Sequence, residues 1–342
     1  MKTVQNKNYG LEIYRFILCF WVLLYHCLKK TDSKLLLNFI TKMYHVPSFF
    51  FISFFFLFPT ISGRNIQKMK IRLYRLLIPY ILWPIITWSF NNISFQIFKK
   101  SRFSCFLPFS LLKEQLIVGR PIFAQLWFHF NLILLTILFF ILSLFLKINN
   151  FFKIVEFIAI LSYFLQYAKY NFLLFDKYNI TVRHSVGHFA ETFPFAISAF
   201  ILHYSGILNS FRRSKYYESL YCLIIIFFIY KYDLFVDPLE KIYKYNYYGI
   251  SKNIFAICSF ILFFLIPIEN LKLKKLNIFI RIISNHTLGI YCLHPLTAYY
   301  LQKLFHLIPT FHGCIIIYVS SYLISFIGVK ISFNSKLKYL FI

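Results

Sequence analysis

The chain has 342 residues, 59% hydrophobic, 22% aromatic and 14% charged, with a mean hydropathy of +0.66. Soluble domains average about 45–50% apolar and about 25% charged residues, so a soluble enzyme, a disordered chain and a collagen-like or coiled-coil rod are excluded. Lys and Arg total 37 against 11 acids, a net charge of +26, but the basic residues cluster between apolar runs, which points to membrane topology and anionic headgroups rather than nucleic acid.

A spanning helix needs about 20 predominantly apolar residues. Runs of that kind fall at 9–28, 44–62, 76–98, 121–146, 150–168, 187–207, 216–236, 250–268, 283–305 and 311–332. The expectation is an all-α integral membrane protein, a bundle of about ten transmembrane helices forming a single domain over 1–342. The first run carries Glu12, Arg15 and His26 and lacks a small-residue cleavage site, so it reads as a span rather than a cleaved signal peptide. Three basic clusters set the orientation: Arg64 to Arg75, Arg212 to Lys215, and Lys272 to Arg281. With ten spans they share one side with both termini, and the positive-inside rule makes that side cytoplasmic. The segment 99–120, with Lys99, Lys100, Arg102, Lys113 and Arg120, runs against the rule. The seven cysteines have no metal or disulfide spacing and read as small core residues. The many Phe and Tyr read as lipid contact or packing.

Ionisable groups inside hydrocarbon cost about 2.5–3.5 kcal/mol each on insertion scales, so each is a candidate site residue. In the first span Glu12 and Arg15 are i,i+3 neighbours able to pair. His26 lies eleven residues beyond Arg15, roughly 16 Å along the axis, and about three whole turns later, so both side chains point the same way. A path lined by this helix fits that stripe; so does a helix-end ion pair with a histidine at the outer interface. Next, Arg72 and Arg75 share a face at i,i+3 in a basic stretch entering the third span. They suit a phosphate clamp or plain positive-inside anchoring. Around the sixth span Arg183, His184, His188 and Glu191 put His184, His188 and Glu191 on one helix face. No fourth ligand is indicated, so the expectation is no metal but a polar lining or a hydrogen-bonded cluster. Finally, Tyr291-Cys-Leu-His294-Pro295 places an imidazole beside a proline kink with a freed carbonyl. His45, His129, His203, His306 and His312 read as interfacial or core residues.

In this order, the pieces resemble the membrane-bound acyltransferase 3 family, whose members O-acylate surface polysaccharides and other extracytoplasmic acceptors. The resemblance rests on Glu12-x-x-Arg15, then ten residues, then His26, on Val46-Pro-Ser-Phe-Phe-Phe-Ile-Ser53-Phe, on the Arg72-x-x-Arg75 loop, on Leu126-Trp127-Phe128, and on Ile290-Tyr291-Cys-Leu-His294-Pro295. It covers about 300 residues. Glu12 stands where Asp is usual, and Ser53-Phe54 where Ser-Gly is common; 150–260 carries no family motif.

What the resemblance implies is an O-acyltransferase, with acetyl-CoA as the expected cytoplasmic donor and a surface glycan or glycolipid as the acceptor. No metal or nucleic acid is implied, and membrane lipid is the surroundings. His26 matches the family's essential histidine and Arg15 its partner, with Glu12 beside it. Arg72 and Arg75 match the pair proposed to meet the CoA phosphates. Trp127, Tyr291, His294, His188 and Glu191 are of second rank. Imidazole can serve acyl transfer as base or as nucleophile. The competing reading is an exporter or flippase of polysaccharide or lipid-linked sugar, with aromatics stacking on the sugar; a scaffold without activity is a third.

Overall fold

The computed structural model describes residues 8–27, 45–98, 127–146, 148–172, 180–208, 218–227, 250–265, 274–305 and 310–341. Among them every regular element is helical. In chain order they are α1 (Tyr9–Cys27), α2 (His45–Ser62), α3 (Ile66–Phe98), α4 (Trp127–Phe145), α5 (Ile148–Phe172) and α6 (Ile180–Tyr204). Then follow α7 (Glu218–Phe227), α8 (Ile250–Leu265), α9 (Lys274–Ser284), α10 (Thr287–Phe305), α11 (Phe311–Ile331) and a 3₁₀ turn, Lys336–Leu340. Each of the ten predicted runs carries one of these helices.

Among the described residues three helices are long and apolar enough to cross a membrane: Ile66–Phe90 of α3, α4 and α11. Large apolar side chains stand on the outside, among them Phe157, Phe164, Ile316 and Ile327. A water-soluble protein does not carry apolar surface on that scale; this is a membrane protein.

Inside the bundle α2 is the central post, in contact with α1, α3, α4, α6 and α8. Its sequence is apolar on every side, as a helix buried all round must be. Phe54 meets Phe139 and Phe200 edge-on at 5.9 and 6.0 Å, Phe58 meets Phe152 at 5.6 Å, and Phe51 and Phe55 meet Phe260 at 5.0 and 4.6 Å. Lipid tails are as apolar as these rings, so the helices are held by close packing and ring electrostatics, about 0.5–1.5 kcal/mol per aromatic pair. The aromatics are packing, as expected, and Cys19, Cys222, Cys258, Cys292 and Cys314 are buried free thiols. Asn8 caps α1 by accepting from the Leu11 amide at 3.2 Å and ties it to α8 by donating to the Phe264 carbonyl at 2.7 Å. Gly10 permits that approach, because a Cβ there would overlap the Phe263 carbonyl.

Two stretches differ from the sequence reading. The basic segment before the third span is not a loop: after a tight turn at Gly63-Arg64-Asn65, with Arg64 at φ 47°, α3 begins at Ile66. Asn65 starts the helix by accepting from the Lys68 amide at 2.9 Å. At 33 residues α3 is about 50 Å long, well over a bilayer's ~30 Å, so Arg72 and Arg75 lie on a rigid helix. Likewise Lys274, Lys275 and Arg281 lie in the short helix α9, and the ninth run becomes helical anew at Thr287.

Candidate active site

The candidate residues gather in two layers where α1, α2, α3, α4 and α10 meet. In the first, Arg15 pairs with Glu12 at 3.5 Å and donates from Nη2 to Thr287 Oγ1 at 3.1 Å. Ser284, on the last turn of α9, donates to the Glu12 carboxylate and to the Arg281 carbonyl. Thr287 donates in turn to the Ser284 carbonyl at 3.0 Å. The carboxylate is therefore held by Arg15 and Ser284, and the guanidinium by Glu12 and Thr287. This satisfies most of the polar demand of a half-buried ion pair.

Arg72 enters the same layer from α3. Its Nη2 donates to Ser53 Oγ on α2 at 2.8 Å and its Nε to Thr136 Oγ1 on α4 at 3.4 Å. Hydrogen bonds from a charged donor contribute about 1.5–3 kcal/mol each, comparable to the ~2.5–3.5 kcal/mol insertion cost of an arginine. Arg75, one turn on, is exposed and lies within electrostatic reach of both Arg72 and Arg15. The two arginines expected as a matched clamp are thus unequal: Arg72 is built into the bundle, and Arg75 is open.

The second layer lies farther along α1. His26 stacks obliquely on His294 of α10, ring centroids 5.3 Å apart. Since Arg15 and His26 both reach α10, the common stripe expected of α1 is present. His294 is 1% exposed and its Nε2 has no hydrogen-bond partner among the described residues, while its ring also bonds the backbone of Ile290 and Tyr291. Pro295 supplies no amide, so the Tyr291 carbonyl lacks its helical donor and is free for the imidazole. A ring donating from Nδ1 to a carbonyl is a tautomer with its lone pair on Nε2. Tyr291 meets His294 at 6.0 Å and His129 of α4 at 5.9 Å. His129 is fully buried, and neither ring nitrogen has a partner among the described residues. Trp127 and Phe128 wall this layer against Phe50 at 6.1 and 4.5 Å.

Glu12, Arg15, Arg72 and Arg75 are thus brought together in one layer, and His26, Tyr291, His294 and Trp127 in the other. The side chains of Arg183, His184, His188 and Glu191, on α6, lie outside the described residues. Sequence reasoning passed over Ser53, Thr136, Ser284 and Thr287 as ligands of the charged groups, while His129, read as an interfacial or core residue, is indeed buried. A signal existed: His129, Thr136 and Ser143 recur every seven residues in an otherwise apolar helix, hence on one face, and all three are buried.

A family model described as an acyltransferase domain, the acyltransferase 3 type, matches residues 8–330, nearly the whole chain. No curated protein and no solved structure matches it.

Proposed function

Because the chain belongs to the acyltransferase domain family, we propose that it carries an acyl group, acetyl first among them, from cytoplasmic acyl-CoA to a hydroxyl of an extracytoplasmic acceptor, a surface polysaccharide or lipid-linked glycan. In this reading it crosses the cell membrane about ten times, with both termini inside. The tie of Arg64 to the Leu146 carbonyl at 2.9 Å supports one common edge for the α2–α3 turn and the end of α4.

One observation carries the reading. A single stripe of α1 presents an arginine layer and an imidazole layer to the same partner helix, separated by about 10 Å along α10 and about 16 Å along α1. Acyl-CoA has matching parts: phosphates at one end, a thioester at the other, and a long uncharged arm between. Arg75, with Arg72 and Arg15 behind it, neutralises the phosphates. At the imidazole layer His26 takes the proton of the acceptor hydroxyl as its oxygen attacks the thioester carbonyl. The C–O bond forms, the C–S bond breaks, and the proton passes from His26 to the leaving thiolate. His294 is a positioning residue, its Nε2 lone pair beside the His26 ring.

The test is transfer of radiolabel from acetyl-CoA into the glycan fraction of membranes containing the protein. Label that disappears in His26→Ala, and that needs a far higher donor concentration in Arg72→Ala with Arg75→Ala, is the expected result. No label in the wild type, with glycan reaching the surface only when the protein is present, overturns the reading in favour of export.

A further inference from the structure

Residues 335–341 lie beyond the stretch matched by the family model, which ends at 330, yet they fold back into the bundle. After α11 the chain turns at Ser332–Ser335 and runs inward beside α3. Trp83 Nε1 donates to the Leu340 carbonyl at 3.3 Å, and Leu340 is buried. Ser325 Oγ donates to the Phe341 carbonyl at 2.7 Å and contacts His286 Nδ1 at 3.0 Å. Two glycines make room: a Cβ at Gly289 would overlap the Phe341 carbonyl, and one at Gly328 would press on the Phe341 ring at 2.6 Å. Seven residues beyond the matched stretch are thus received by a fitted cradle from α3, α10 and α11.

The chemistry this segment carries faces the arginine layer. Tyr339 lies within electrostatic reach of Arg75. Lys336 Nζ sits 4.4 Å above the ring of Tyr74, the residue preceding Arg75, and Lys338 Nζ lies 5.6 Å from the Tyr339 ring. Lys336 is exposed and Lys338 half-buried. No carboxylate among the described residues pairs with Arg75, Lys336 or Lys338. Among the described residues the acid of this layer is Glu12, and it is engaged by Arg15 and Ser284. Arg75 thus lies within electrostatic reach of Arg15 and Arg72, Lys336 and Lys338 stand on the segment packed beside α3, and among the described residues Glu12 is the one carboxylate paired with any of these cations. An anion with several negative charges is what such a cluster receives. Headgroup anchoring needs only exposed lysines; it does not need a cradle that holds the segment inward.

Resting on the acyl-CoA reading above, we propose that the 335–341 segment completes the donor site. Lys336 and Lys338 bind the 3′-phosphomonoester at the nucleotide end of the donor, and Tyr339 is a positioning residue that sets Arg75 against the pyrophosphate. The segment thereby makes the enzyme selective for phosphorylated over dephosphorylated coenzyme A thioesters.

Equilibrium binding to the purified full chain in zwitterionic phosphatidylcholine nanodiscs tests this without knowledge of the acceptor. The ligands are labelled acetyl-CoA and acetyl-3′-dephospho-CoA. The wild type is expected to prefer the phosphorylated ligand by roughly tenfold or more, the yield of a charge-assisted phosphate contact. Lys336→Ala with Lys338→Ala brings the preference to within about twofold, leaving dephospho-ligand binding unchanged. Tyr339→Phe weakens both ligands about equally, by roughly threefold, and keeps the preference. A wild type without preference, or a double lysine variant that retains it, overturns the inference alone. So does a lysine effect confined to nanodiscs containing anionic lipid and equal for both ligands, which assigns the lysines to headgroups. A wild type that binds neither ligand overturns the acyl-CoA reading itself.

Discussion

Arg72 has hydroxyls from two other helices at its guanidinium, Ser53 at 2.8 Å and Thr136 at 3.4 Å. His129 lies two turns away on the same face of α4 as Thr136, and neither of its nitrogens has a partner among the described residues. Both are costly groups within a membrane protein, and the fold treats them oppositely. The arginine layer is closed by its own side chains at all but Arg75, as a site that must hold permanent charge needs to be. The imidazole layer leaves acceptors open at His129 and His294, and an unsatisfied buried polar group costs about 1–3 kcal/mol. A cost of that kind is retained where a ligand or a reacting hydroxyl is to supply the partner.

The sharpest way to break this contrast is His26→Ala. Loss of a general base costs roughly 10²–10⁴-fold in rate, so label transfer should fall by that factor while the amount of protein in the membrane is unchanged. Arg72→Met comes next. It should raise the donor dissociation constant by about tenfold or more and lower the unfolding temperature in detergent, because two hydroxyls lose a charged partner worth about 1.5–3 kcal/mol each. At His129→Phe the two quantities should part. Replacing an unpaired imidazole by a ring of similar shape is expected to stabilise the protein by about 1 kcal/mol while slowing transfer several-fold. A fall in both would place His129 with the packing residues. The smallest effects belong to the hydroxyls at Arg72. Ser53→Ala should destabilise by about 1.5 kcal/mol and Thr136→Val by less, because the second bond is longer and weaker. Thermal unfolding of the two variants side by side reads the order.

Much of the bundle was legible in the sequence, because hydrocarbon leaves the chain few options. Each apolar run of sufficient length carries a helix, and the Glu12–Arg15 pair and the shared direction of Arg15 and His26 follow from helical geometry alone. Helix starts were less legible. Arg72 and Arg75 looked like a loop because charge was taken as the edge of a span, whereas ligands from α2 and α4 let the charge sit inside a helix. Those ligands, Ser53 and Thr136, are 83 residues apart in sequence, and no local pattern links them. His129 was legible as an interfacial or core residue; that its ring nitrogens have no partner among the described residues is something only packing reveals. The inward path of 335–341 depends on Gly289, Gly328 and Trp83, far away in the chain.

The axial distance between Arg15 and His26 also bears on how the membrane potential is handled. Moving one elementary charge through the full potential is worth about 2.3 kcal/mol per 100 mV, so carrying a multiply charged anionic donor across would tie turnover to the potential, and an inside-negative cell would drive the anion out and lose it. A site that anchors the charged end on one layer and lets only the arm reach the other avoids the problem. In the reading proposed above, the acyl group that advances is neutral, and the anion stays behind on the cytoplasmic side. On that reading, label transfer is expected to run at the same rate in an energised and a de-energised membrane.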